Sequence, residues 1–137
     1  MTARNLLRVT ALLEGGMASA FLFVPSLPSE LLFGQKPQTS LALILGHFVG
    51  AVLLSLSVVC WLAGNAPESS LAYGVVKTML FYDAVAALIL LSVRMSLGLS
   101  AILLWPAVVI HLALGAWCIV VLLISNPVGA QRQSDPP

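Results

Sequence analysis

Apolar residues dominate this chain in four long runs, divided by short clusters of Pro, Gly, Ser, Asn and Thr. A helix crosses the hydrocarbon core of a bilayer with about 20 mainly apolar residues. The runs meet that length at roughly residues 5 to 25, 41 to 63, 73 to 95 and 101 to 124. Their punctuation has chemical meaning. Pro25 and Pro28 close the first run, and Thr39 and Ser40 can cap the second. Gly64, Asn65 and Pro67 end the second, and Ser69 and Ser70 can cap the third. Gly98 and Ser100 separate the third from the fourth, which stops at Asn126 and Pro127. Short connections make neighbouring runs antiparallel. The pattern therefore predicts an all-α integral membrane four-helix bundle, up-down-up-down, as a single domain over residues 1–127. In the longest loop, the stretch from Ser29 to Gly34 predicts one interfacial turn. Residues 128–137 have no apolar face to bury and are expected to be a disordered cytoplasmic tail.

Composition supports a lipid-facing surface. Of 137 residues, 60% are hydrophobic and 8% charged, against about 25% charged in ordinary soluble domains. So few charges cannot cover a water-soluble shell. A net charge of +1 without a basic run excludes a nucleic-acid footprint. The expected partners are the lipid bilayer and either further copies of the chain or a larger membrane protein. Cys60 and Cys118 lie inside apolar runs, as small buried thiols do. Arg4 and Arg8 precede an apolar stretch, but Glu14, Gly15 and Gly16 interrupt it, so it reads as a retained helix rather than a cleaved signal. Positive side chains resist translocation. With the N-terminus inside, Arg4, Arg8, Lys77 and Arg132 are cytoplasmic and Lys36 and Arg94 external. Trp61 and Tyr73 then fall in the inner aromatic belt and Trp105 in the outer. This expectation places the chain in a bacterial inner membrane with both termini cytoplasmic.

Each run carries one ionisable residue far from an interface: Glu14, His47, Asp83 and His111. A charge at the bilayer centre costs about 2.5 kcal/mol or more, so such residues face the bundle interior and find partners. From a rise of about 1.5 Å per residue, Glu14, Asp83 and His111 fall within a few ångströms of the midplane, and His47 about 7 Å outside it. Acid-to-imidazole pairs are expected, Glu14 or Asp83 with His111 foremost. Small residues beside them allow close helix approach. Ala42, Gly46 and Gly50 form a row beside His47, and Ala11, Gly15 and Ser19 another beside Glu14. Ala107, His111, Gly115 and Cys118 share a face of the last run. Pro106 lacks a donor and is expected to free a carbonyl near Ala101 or Ile102 and to kink that helix.

Two classes lead among the roles these residues allow; a third, a small-solute transporter, requires an oligomer, because four short helices leave little room for an alternating-access pathway. An acid and imidazole layer can fix helix register in a small scaffold or accessory subunit, with no catalytic residue and no cofactor. The alternative is a quinone-linked redox or proton-handling component, since an interior acid and imidazole beside an apolar cavity suffice for either role. Haem is a further alternative, because two helices carry histidines, although no CxxCH motif is present. No metal site is expected: no ExxH pair occurs and His47 lies too far out. Walker, GxGxxG, GxSxG and HExxH motifs are absent. Tyr82 stands beside Asp83.

An acidic residue in a first helix running into Pro25-Ser26-Leu27, with Gly46-His47-Phe48-Val49-Gly50, Leu80-Phe81-Tyr82-Asp83 and Trp105-Pro106-Ala107-Val108-Val109-Ile110-His111, resembles small bacterial membrane proteins of the broad DoxX-like group. The resemblance covers residues 4–125. It implies a four-helix inner-membrane topology and, in some members, association with quinone-linked redox systems. It implies no residue roles. The chain also lacks a soluble redox domain, which weighs against an oxidoreductase acting alone.

Overall fold

The computed structural model describes residues 2–97 and 101–124. Five helices occur in it: α1 (Ala3–Phe23), α2 (Ser26–Phe33), α3 (Ser40–Ala63), α4 (Ser70–Leu97) and α5 (Leu104–Ile124). The described residues form no strand. Four helices, all but α2, are long and apolar enough to cross a membrane. A helix satisfies its own backbone groups, which an apolar solvent demands. The proposed stops at Gly98, Ser100, Asn126 and Pro127, and the tail over 128–137, lie outside the described residues.

Helix ends follow local chemistry. The Thr39 hydroxyl accepts from Ala42 N–H at 3.1 Å to cap α3, and Ser69 does the same for Ala72 at 3.1 Å ahead of α4. In place of the single turn expected in the first loop, α2 is an eight-residue helix that begins at Ser26. Pro28 falls in its first turn, where a missing N–H removes no helical bond. Gly34 ends α2 in the left-handed region at φ 72°, with its N–H donating to Glu30 C=O at 2.8 Å. Glycine takes that conformation without strain.

The expected kink at Pro106 does not occur, because α5 starts at Leu104, three residues later than the run suggested. Pro106 thus stands in the first turn, and Ala101 and Ile102 lie before the helix. No interior carbonyl is freed.

The helices assemble as two antiparallel pairs, α1 with α3 and α4 with α5, with sparser contact between the pairs. Close backbone approach defines the first seam. A Cβ at Gly50 would meet Leu22 N at 3.0 Å and Ala18 O at 3.1 Å, and one at Gly46 would meet Pro25 Cβ at 3.1 Å. Gly15 faces Ser57, whose hydroxyl donates across the seam to Ala11 C=O at 2.7 Å. Half-buried Ala42 stands one turn before Gly46 on α3. At the end of the bundle that carries the N-terminus, the pairs close on a filled core that includes Leu6, Leu7, Cys60, Val76, Met79, Cys118 and Val121. The two cysteines there are free thiols. At the opposite end a smaller cluster of Ala18, Phe21, Leu32 and Leu53 packs beneath α2, and a backbone bond from Leu103 N–H to Leu31 C=O at 3.0 Å ties α2 to the approach of α5. Leu12, Phe48, Phe81, Leu88 and Leu123 are exposed on the outside, as an apolar solvent permits.

Candidate functional site

Three of the four intramembrane ionisable residues meet between the two pairs. Glu14 is 5% and Asp83 1% exposed. On α4, the adjacent residues Tyr82 and Asp83 diverge by about 100° around the helix axis, so one reaches α1 and the other α5. Tyr82 Oη donates to Glu14 Oε2 at 3.2 Å. His111 Nδ1 lies 2.9 Å from Asp83 Oδ1. The Tyr82 and His111 rings meet edge-on, with centroids 5.6 Å apart and planes at 77°. A chain of contacts thus runs Glu14, Tyr82, His111, Asp83. Asp83 Oδ2 is buried without a hydrogen-bond partner.

Gly115 makes this approach feasible. It sits one turn beyond His111 on the same face of α5, and a Cβ there would already touch Asp83 Cβ at 3.6 Å. A larger side chain would push α5 from α4 at the level of the polar pair. Of the two pairings expected for His111, the Asp83 one is formed. Glu14 instead accepts its hydrogen bond from Tyr82. The adjacent Tyr82-Asp83 in an apolar helix was the available signal for this, since two neighbouring polar side chains can serve two different partners.

His47 does not join the layer. It is exposed on the outer face of α3, where its Nδ1 lies 2.8 Å from its own helix's Leu43 C=O. The physical reason is rotational. Gly46 and Gly50 hold the α1-facing side of α3, and His47, one residue past Gly46, is turned about 100° away. A neutral imidazole with its N–H donated to a carbonyl one turn back has little need of a partner helix. The inward placement expected from the small-residue row is therefore corrected.

The polar chain forms the inner end of a cavity of about 450 Å³ that draws on α1, α2, α3, α4 and α5. Glu14, Tyr82 and His111 are its polar side chains, and the rest of its wall is apolar. Phe21, Leu32 and Phe33 close it beneath α2, with Leu53 and Ala107 along its length. Val49, Ile89 and Ile110 line it while remaining 44%, 54% and 42% exposed on the lipid-facing surface. The cavity therefore opens sideways, toward the acyl chains. Its volume lies in the range of about 300 to 1,000 Å³ typical of small-molecule sites, and a few convergent polar groups in an apolar wall are their usual chemistry.

Among the described residues, no group of three or more His, Cys, Asp or Glu is placed to hold a metal ion. His47 and His111 face different spaces, so they do not form a bis-histidine haem pocket. Comparison with known protein families, with curated proteins and with solved structures finds no match to this chain.

Proposed function

We propose that the protein binds a lipid-soluble molecule with a small polar head, of the quinone class, and handles protons at that head through its acid and imidazole groups. One observation carries this reading: an apolar cavity that opens on the bilayer side ends in Glu14, Tyr82 and His111. A layer that served only to fix helix register would need the hydrogen bonds but not the space beside them. The reading takes the protein as a quinone-linked redox or proton-handling component rather than an inert scaffold. It works with partners for electron transfer. The distribution of Lys and Arg supports both termini on the cytoplasmic side, and the likeness to the DoxX-like group supports a bacterial inner-membrane location.

The test is mild-detergent purification from native membranes, followed by solvent extraction and identification of redox-active lipids. A quinone should accompany the wild-type chain in near-stoichiometric amount. Ala107→Trp, which fills the cavity one turn from His111, should lose it while keeping the melting temperature within a few degrees. Extracts with no quinone, together with no binding of added quinone or quinol to the purified protein, would reject the reading.

An accessory role has a separate observation behind it. A groove on the outer face between α1 and α3 is lined by Gly15, Gly16, Ser19 and Ser57, and nothing lies within 4 Å of a Cβ placed at Gly16. Small residues of this kind allow another membrane helix to come close. A copy of the chain or a larger membrane protein seated there is compatible with ligand binding on the opposite side of α1. Cross-linking from Gly16→Cys in native membranes would identify it.

A further inference from the structure

The two nitrogens of His111 are held differently. Nδ1 lies 2.9 Å from Asp83 Oδ1, and the side chains are 16% and 1% exposed. With Asp83 as a carboxylate, its oxygen accepts and the imidazole N–H stands on Nδ1; in that tautomer a neutral ring carries its lone pair on Nε2. Nε2 has no hydrogen-bond partner among the described residues, and the ring lines the cavity. Neighbouring groups leave that nitrogen free. Tyr82 presents its ring to the imidazole and donates its hydroxyl to Glu14. Asp83 meets the far edge of the ring through Oδ1.

The inner end of the cavity therefore presents an acceptor in need of a donor, within an apolar wall where an unmet polar atom is costly. A quinone head offers carbonyl oxygens, which are acceptors as well. Its reduced form offers phenolic O–H groups. Building on the reading of this cavity as a quinone-class site, we infer that His111 Nε2 accepts a hydrogen bond from a phenolic O–H of the ligand. The site thus selects the reduced, hydroxyl-bearing form over the oxidised one. Asp83 is a positioning residue in this arrangement. It touches no ligand and acts by holding the N–H on Nδ1, which keeps the lone pair turned to the cavity.

The experiment uses the full chain in lipid nanodiscs, with a decyl-substituted benzoquinol and the matching benzoquinone as probes, the quinol kept reduced under anaerobic conditions. The quinol should bind about tenfold more tightly than the quinone, the fold-change that one hydrogen bond carries. His47→Gln leaves His111 as the single histidine, because the chain has two. Nitrogen NMR of that variant should show the N–H on Nδ1 before any ligand is added. The Nε2 resonance should move on addition of quinol and not of quinone. This measurement leaves the site intact, so it does not depend on any cavity variant folding.

Asp83→Asn supplies the positioning test. Its amide can donate to Nδ1 and drive the N–H to Nε2, so the preference for quinol should fall toward one without loss of quinone affinity. A merely structural Asp83 would weaken both probes alike, and that result would remove its positioning role. Equal wild-type affinity for the two probes, or an N–H resident on Nε2, would overturn the inference while leaving the cavity a quinone-class site. If neither probe binds, the function proposed for the cavity falls and this inference with it.

Discussion

The two ends of the bundle are built from the same four helices and differ in how they are filled. Toward the N-terminus of α1, Leu6, Leu7, Val76 and Met79 interleave with the small side chains Ala63, Ala72, Cys60 and Cys118, and each is between 0% and 3% exposed. Bulky groups opposite small ones leave no gap between the pairs. Toward α2, the small residues Ala86 and Ala107 line a cavity that the side chains around them leave unfilled. Glu14, Tyr82, Asp83 and His111 mark the border. The contrast teaches where the polar layer gets its meaning: sealed on one side by packed side chains, it is reachable from the other.

This difference can be broken most forcefully at Gly50. If the α2 end were loose throughout, added bulk there would be absorbed. The close approach of Leu22 N and Ala18 O places the empty space between the helix pairs and not within them. Gly50→Leu should therefore force α1 from α3 and cost about 3 kcal/mol, at the upper end of what overpacking does. Thermal unfolding in detergent measures it. An unchanged midpoint would show that the α1 and α3 seam is not closed at this end.

A paired truncation sharpens the contrast. Met79 is 1% exposed within the filled core, and Leu53, 8% exposed, already borders the cavity. Met79→Ala should cost about 2 to 5 kcal/mol because the hole it leaves has closely packed walls. Leu53→Ala enlarges an existing space and should cost about 1 kcal/mol, since fewer contacts are lost. Equal losses in chemical denaturation would mean that the two ends are packed alike.

How much of this was legible in the chain itself depends on the solvent. Lipid requires long apolar helices, so the four spans and the caps at Thr39 and Ser69 follow from pattern alone. The same solvent hides which way each helix faces. In water an apolar stripe points inward, but here core and lipid-facing positions are both apolar, and Leu12 and Leu7 look alike although one is exposed and the other buried. Only polar and small residues break the symmetry. Glu14, Asp83 and His111 were readable as interior for that reason, and Gly46 and Gly50 as close-packing positions. The eight residues of α2 were not, because two prolines resemble a break until one sees that Pro28 falls in a first turn. Pro106 misled for the same cause, since three residues' difference in where α5 begins decides whether a proline bends a helix or starts it. The cavity was invisible, because unfilled space beside Ala86 and Ala107 is a property of tertiary placement.

The smallest effect is expected at His47, and its smallness is informative. An imidazole on the lipid face would be costly if both ring nitrogens lacked partners, yet Nδ1 has the Leu43 carbonyl at 2.8 Å within its own helix. That carbonyl already serves the helical ladder, so losing the imidazole leaves no backbone group unpaired. His47→Leu removes one polar group from lipid and one local hydrogen bond, two terms of opposite sign and similar size. The net change should stay within about 0.5 kcal/mol, the usual range for a surface substitution with no structural feature at stake. Quinol affinity should not move, because His47 is turned away from the cavity. The matching replacement at His111 should differ in kind: His111→Leu would strand a second oxygen of Asp83 in a buried site and cost about 1 to 3 kcal/mol. Thermal melts of the two variants side by side check the contrast. Equal and large losses would put His47 back among the interior partners and would require α3 to be rotated toward the polar layer.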